Sequence, residues 1–211
     1  MSAVLRQDMP RRRLGAAPVR FERRADGALL VTPVPALGPY PRRLTERLEH
    51  WAAVAPERVF LARRDPASGA WRRMTYAAML RDVRAVGQAL LDRGLGPERP
   101  VAILSGNCLE QATLTLAALH VGVPVAPVSP SYSTLAKDFS KLLHCLGLLT
   151  PGLVFANDGT RFRDAIAAAV PGDVEVVVTE GDGGTRFADL LATQPTVAVD
   201  RATAAVDPDA P

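Results

Sequence analysis

Residues that commonly carry chemistry are scarce in this sequence. It has two cysteines, three histidines and 5% aromatic residues in 211 positions. Two cysteines, Cys108 and Cys145, cannot build a disulfide framework and are expected as reduced thiols in a cytoplasmic protein. His50, His120 and His144 have no metal-ligand spacing with one another or with the cysteines, so no metal site is expected. So few aromatics leave few platforms for stacked bases, which argues against a nucleic-acid partner. No apolar run approaches the roughly 18 residues of a membrane span, and the first residues lack the apolar core of a secretion signal. A dinucleotide-binding domain would need a glycine fingerprint directly after a strand, and none is present.

What the chain does have is α/β periodicity. Met79, Leu80, Val83, Val86 and Leu90 fall on one helical face, with Thr75 placed to cap the start and Gly94 to stop the helix. Val101–Leu104 is a short run apolar on both faces, as a central parallel strand requires. Ser105, Gly106 and Asn107 turn out of it, and Asn107 with Glu110 has the spacing of a capping box. Leu109, Thr113, Leu116 and His120 line the next helix, Gly122 ends it, and Val123–Val128 returns as a second strand. Two strands joined by a helix in this length are parallel, with a right-handed crossover.

On either side the same reading continues. Residues 1–43 are expected as an extended, proline-bearing arm with one small hairpin around Ala25-Asp26-Gly27. Leu44, Leu48, Trp51 and Ala55 mark a helix; Val59–Ala62 and Trp71–Met74 mark paired strands joined by the turn Asp65–Gly69. A helix from Ser133 or Thr134 carries Leu135, Phe139, Leu142, Leu143 and Leu146 inward. Leu153–Ala156 and Val174–Thr179 are further strands, with a helix through Phe162, Ile166 and Val170 between them and a short one at Phe187–Leu191. The α/β unit thus spans 44–195, and 196–211 reads as an aperiodic tail.

Candidate sites are few. The formal charge of +3 is carried by arginine pairs in the first third, such as Arg63-Arg64 and Arg72-Arg73, which read as solvated faces. Gly181–Arg186 sits between a strand and a helix, but Glu180 and Asp182 repel an anion and the turn lacks the lysine of a phosphate loop. Cys108 opens a helix without a base nearby and reads as a buried structural thiol. His120 and His144 read as satisfied core or interface side chains. No catalytic or cofactor-binding residue is assigned. Ser105, Gly106, Asn107 and Ser129 end buried strands, where α/β sheets place ligands, and form the only candidate rim.

Several stretches do resemble a known family. Met74-Thr75-Tyr76, Arg93-Gly94-Leu95-Gly96, Val101-Ala102-Ile103-Leu104, Asn107 and Gly122-Val123-Pro124-Val125-Ala126-Pro127-Val128 are similar to the N-terminal part of adenylate-forming (AMP-binding) acyl-CoA synthetases, although Ala78 and Pro100 depart from the usual pattern. Within that superfamily Arg24-Ala25-Asp26-Gly27, Leu37–Leu44, Val128–Ser133 and Leu148–Ala156 most resemble feruloyl-CoA synthases. The resemblance implies the N-terminal subdomain of that fold: a Rossmann-like, mainly parallel sheet flanked by helices, with a small N-terminal β-hairpin. It also implies a ligase of aromatic-acid metabolism that uses ATP, Mg and CoA. The family's glycine- and hydroxyl-rich phosphate loop, with its lysine, has no counterpart in these 211 residues, so the tail is expected to lead toward it and the chain alone to be inactive. The expected partner is the remaining part of the ligase, in cis or as a split chain, with self-association through apolar surface it would otherwise cover. The alternative is a non-catalytic binding module derived from the same fold.

Overall fold

The computed structural model describes residues 18–65 and 68–208, and the chain divides into one unit up to Tyr40 and another from Pro41. In the first, β1 (Val19–Arg23) and β2 (Leu29–Pro33) form the expected antiparallel hairpin, with Phe21 opposite Val31. Gly27 supplies the left-handed residue its turn needs (φ 87°), and Asp26 Oδ1 accepts from Ala28 N at 2.9 Å. The arm expected over residues 1–17 lies outside the described residues.

The second unit opens with α1 (Thr45–Val54), then the antiparallel pair β3 (Val59–Arg64) and β4 (Trp71–Thr75). Asp65 Oδ1 ties the connecting loop by accepting from Ser68 N at 2.7 Å; Pro66 and Ala67 of that turn lie outside the described residues. Thr75 Oγ1 caps α2 (Tyr76–Asp92) by accepting from Ala78 N, as expected. There follow β5 (Val101–Ile103), α3 (Leu109–Val121), β6 (Val125–Pro127), α4 (Ser131–Thr134), α5 (Ser140–Leu149), β7 (Leu153–Asp158), α6 (Arg163–Ala169), β8 (Glu175–Glu180), β9 (Thr185–Arg186), α7 (Phe187–Leu191) and α8 (Val197–Ala205).

Five strands pair in parallel in the order β6-β5-β7-β8-β9. Alternation along each strand splits the core in two. Val101, Ile103, Leu153, Phe155 and Val177 pack with α2, α3, α7 and α8; Ala102, Leu104, Val154 and Ala156 pack with α5 and α6. Gly87 lets α2 lie close on α3: a β-carbon there would sit 2.9 Å from Val121 Cγ1. Strand β5 and the Leu153–Ala156 run of β7 are buried on both faces, which is why they are apolar throughout.

Three local expectations are corrected. Cys108, not Asn107, caps α3: its Sγ accepts from Gln111 N at 3.2 Å. The single helix expected from Ser133 breaks into α4 and α5, because Phe139 takes a left-handed backbone (φ 50°) and Asp138 Oδ1 accepts from Ser140 N. Leu135 is consequently 81% exposed and Leu143 is exposed too, not inward. The tail is not aperiodic: Thr196 caps α8, whose Val199 and Thr203 are buried.

Candidate functional site

The rim residues lie at one end of the sheet. Ile103 and Pro127 are paired in register, so Ser105 and Ser129 each stand two residues beyond a matched position on neighbouring strands. Ser105 is buried, and its Oγ has no hydrogen-bond partner among the described residues. Gly106, Asn107 and Ser129 are exposed, and Ser129 Oγ shares a 2.7 Å hydrogen bond with Ser131 Oγ. Asn107 edges a groove of about 470 Å³ between β3 and the start of α3, floored by Phe60, Leu61, Leu109 and Leu116, with Cys108 in its wall.

A second, smaller cleft of about 280 Å³ borders this edge, lined by Arg63, Arg64, Arg72, Glu110, Asn157 and Thr179 among others. Sequence reasoning missed it. Arg63 and Arg72 are directly opposite across β3 and β4, and Arg72 pairs with the buried carboxylate of Glu110. The arginine pairs had the appearance of solvated faces, and Glu110 that of a helix cap; only the pairing of the two strands carries Arg72 to Glu110. Those ion-paired groups hold the hairpin against α3, a scaffold role.

Cys108 is pushed above the ordinary thiol range, chiefly by burial, with the Gln111 amide pulling the other way. The helix start therefore does not activate it. Cys108 should alkylate with iodoacetamide at neutral pH about tenfold more slowly than the partly exposed Cys145, as followed by mass spectrometry. Equal rates would contradict its burial.

The turn Gly181–Gly184 is closed against the neighbouring segment rather than open to a ligand. A β-carbon on Gly181 would meet Thr160 N at 2.6 Å, and the Thr160 and Arg161 amides already donate to Asp158 Oδ1. The sequence has two lysines, Lys137 and Lys141, both near α5 and away from this turn in the chain. The turn Gly181–Gly184 therefore does not fit a nucleoside triphosphate: no lysine lies beside it in the chain, and the nearby charges, Glu180 and Asp182, have the wrong sign. Among the described residues no group of three or more His, Cys, Asp and Glu could hold a metal ion, and no helix is long and apolar enough to cross a membrane. Of the histidines, His50 stacks edge-on to Trp51 and His144 is exposed, whereas His120 is buried but without a hydrogen-bond partner, contrary to the satisfied role expected.

A family model described as "AMP-binding enzyme" matches residues 48–211. A Salinispora arenicola protein assigned as a non-canonical nonribosomal peptide synthetase is 35% identical over 94 residues, 44% of this chain and 1% of that protein. The luciferin 4-monooxygenase of Nipponoluciola cruciata is 34% identical over 83 residues, 39% of this chain and 14% of its own length. Among solved structures, a Rhodopseudomonas palustris protein assigned as a long-chain-fatty-acid CoA ligase superposes with a TM-score of 0.59 at 26% identity, over 72% of this chain and 37% of that one. The chain spans well under half the length of each of these relatives.

Proposed function

Because this chain belongs to the AMP-binding enzyme family, we propose that its 211 residues are the N-terminal scaffold of a cytoplasmic, ATP-dependent acid–CoA ligase of the feruloyl-CoA-synthase type. The observation that carries the reading is the family match over residues 48–211, which takes in the whole parallel sheet with its helices. The finer assignment, to ligation of aromatic acids, is supported by the likeness of Arg24–Gly27, Leu37–Leu44, Val128–Ser133 and Leu148–Ala156 to feruloyl-CoA synthases. The complete enzyme would join its acid to CoA through an acyl adenylate, using ATP and Mg.

On this reading the present residues give shape rather than reactive groups. Ser105, Gly106, Asn107 and Ser129 form the ligand-side rim of the scaffold, and the triphosphate-handling groups belong to the rest of the ligase, whether in cis or as a separate chain. Exposed apolar side chains such as Leu135 (81%) and Leu148 (73%) are surface that such a partner, or a second copy of this chain, would cover.

The purified 211-residue protein should show no ferulate-dependent exchange of labelled pyrophosphate into ATP. Adding a ligase polypeptide that carries the phosphate loop should restore exchange. Exchange by the 211 residues alone would overturn the proposal, and so would a mixed complex that exchanges with other acids but not with aromatic ones.

A further inference from the structure

The side chain least explained by its surroundings lies away from the strand ends. His120, near the end of α3, is 1% exposed, and neither ring nitrogen has a hydrogen-bond partner among the described residues. An unsatisfied buried polar group is costly and calls for a reason. Charged groups face it from every helix packed around it. Glu49 of α1 brings Oε1 to 3.8 Å from His120 Nδ1 and 3.5 Å from Arg43 Nη1, and Arg43 also reaches Glu46 at 3.6 Å. Arg84 of α2 donates to Asp200 of α8 at 2.6 Å. Each carboxylate near the ring is thus already opposite a guanidinium.

Burial above all, then Arg43 and Arg84, hold the imidazole neutral down to about 4, with Asp200 pulling weakly the other way. The 3.8 Å approach to Glu49 is therefore a contact of a neutral ring at pH 7, not an ion pair. A proton on His120 would add a third cation beside two arginines, in a place shielded from water.

We propose that this cluster is an acid-sensitive clasp: proton uptake by His120 releases α8 from α2 and α3 while the parallel sheet stays assembled. Water reaches the ring most cheaply by moving its thinnest cover. Helix α8 buries only Val199 and Thr203, and two side-chain links tie it to α2: Arg84 to Asp200, and Gln88 Oε1 accepting from Thr196 N (2.9 Å) and Oγ1 (2.7 Å). Asp200 and Arg84 are partly exposed already, so parting them costs little. Helix α1 likewise buries two side chains, Thr45 and Leu48, but is pinned further by Trp51 against Tyr76.

The sign follows from linkage. A base whose folded-state value is depressed leaves the closed form fully stable above its ordinary value, and that stability drains away as pH falls toward 4. Amide hydrogen exchange of the whole 211-residue chain, corrected for intrinsic rates, tests this. Between pH 7 and pH 5 the α8 amides of Ala202–Ala205 should lose protection about twentyfold, while Ile103 and Phe155 keep theirs. His120→Leu should abolish the pH dependence, and His120→Gln, which keeps polarity without titrating, should do the same if the leucine variant does not fold. The His120 ring, followed by carbon chemical shift, should stay neutral below pH 5. Constant α8 protection would overturn the proposal, as would loss shared with the sheet, an unchanged loss in either variant, or a ring midpoint near the ordinary value.

Discussion

Phe155→Ala should lower the free energy of unfolding by about 3–5 kcal/mol. Phe155 is fully buried in β7, between Ile103 of β5 and the paired Val177 of β8. Its ring meets Phe187 of α7 edge to face, with centroids 5.6 Å apart at 62°. Truncation removes that contact and leaves a void that cannot collapse easily, since hydrogen-bonded strands fix the backbone on both sides. Urea denaturation should show a lower midpoint with an unchanged slope. A loss below about 1 kcal/mol would mean that β7 is not the centre of the core.

Gly159→Ala is expected to cost about 3 kcal/mol, for a different reason. The added carbon would lie 2.0 Å from the carbonyl oxygen of Asp182 and 3.1 Å from Val178 Cγ1. Its neighbour is backbone, so no rotamer change relieves the clash. Gly159 N also donates to Glu180 O at 2.9 Å, so the two turns cannot part without losing that bond. Gly172→Ala, where a β-carbon meets open space, is the control and should stay within about 0.5 kcal/mol of the parent in thermal or urea unfolding. Equal effects at the two positions would rule out the close approach of the turns.

Both predictions concern a sheet whose strands were legible because burial on two faces leaves an unbroken apolar run, as in Leu153–Ala156. Where one face is solvated, pattern alone served less well. The expected inward row Leu135–Leu146 has helical spacing, yet the chain breaks at Phe139, and no spacing rule signals a left-handed phenylalanine. Helix α8 escaped notice because its inward residues are Val199 and Thr203, both β-branched and the second polar, amid alanines. The placement of Ser105, Gly106, Asn107 and Ser129 just beyond strand ends was readable, but the cleft of Arg63, Arg72 and Glu110 was not. Arg72 lies 38 residues before Glu110, and Arg63 earlier still, and the two meet it only because β3 and β4 pair beside α3.

The order β6-β5-β7-β8-β9 means that the earliest strand of this sheet is an inner one. A ribosome making about ten residues per second needs about five seconds to go from Val101 to Leu153, and for that time β5 lacks β7, and until Val125–Pro127 is made it lacks β6 as well. The nascent chain must meanwhile shelter Val101–Ile103 with the helices already emerged, α2 first and then α3. Translation pauses placed between these two codons would lengthen exactly that interval of vulnerability, whereas pauses after Asp158 would not.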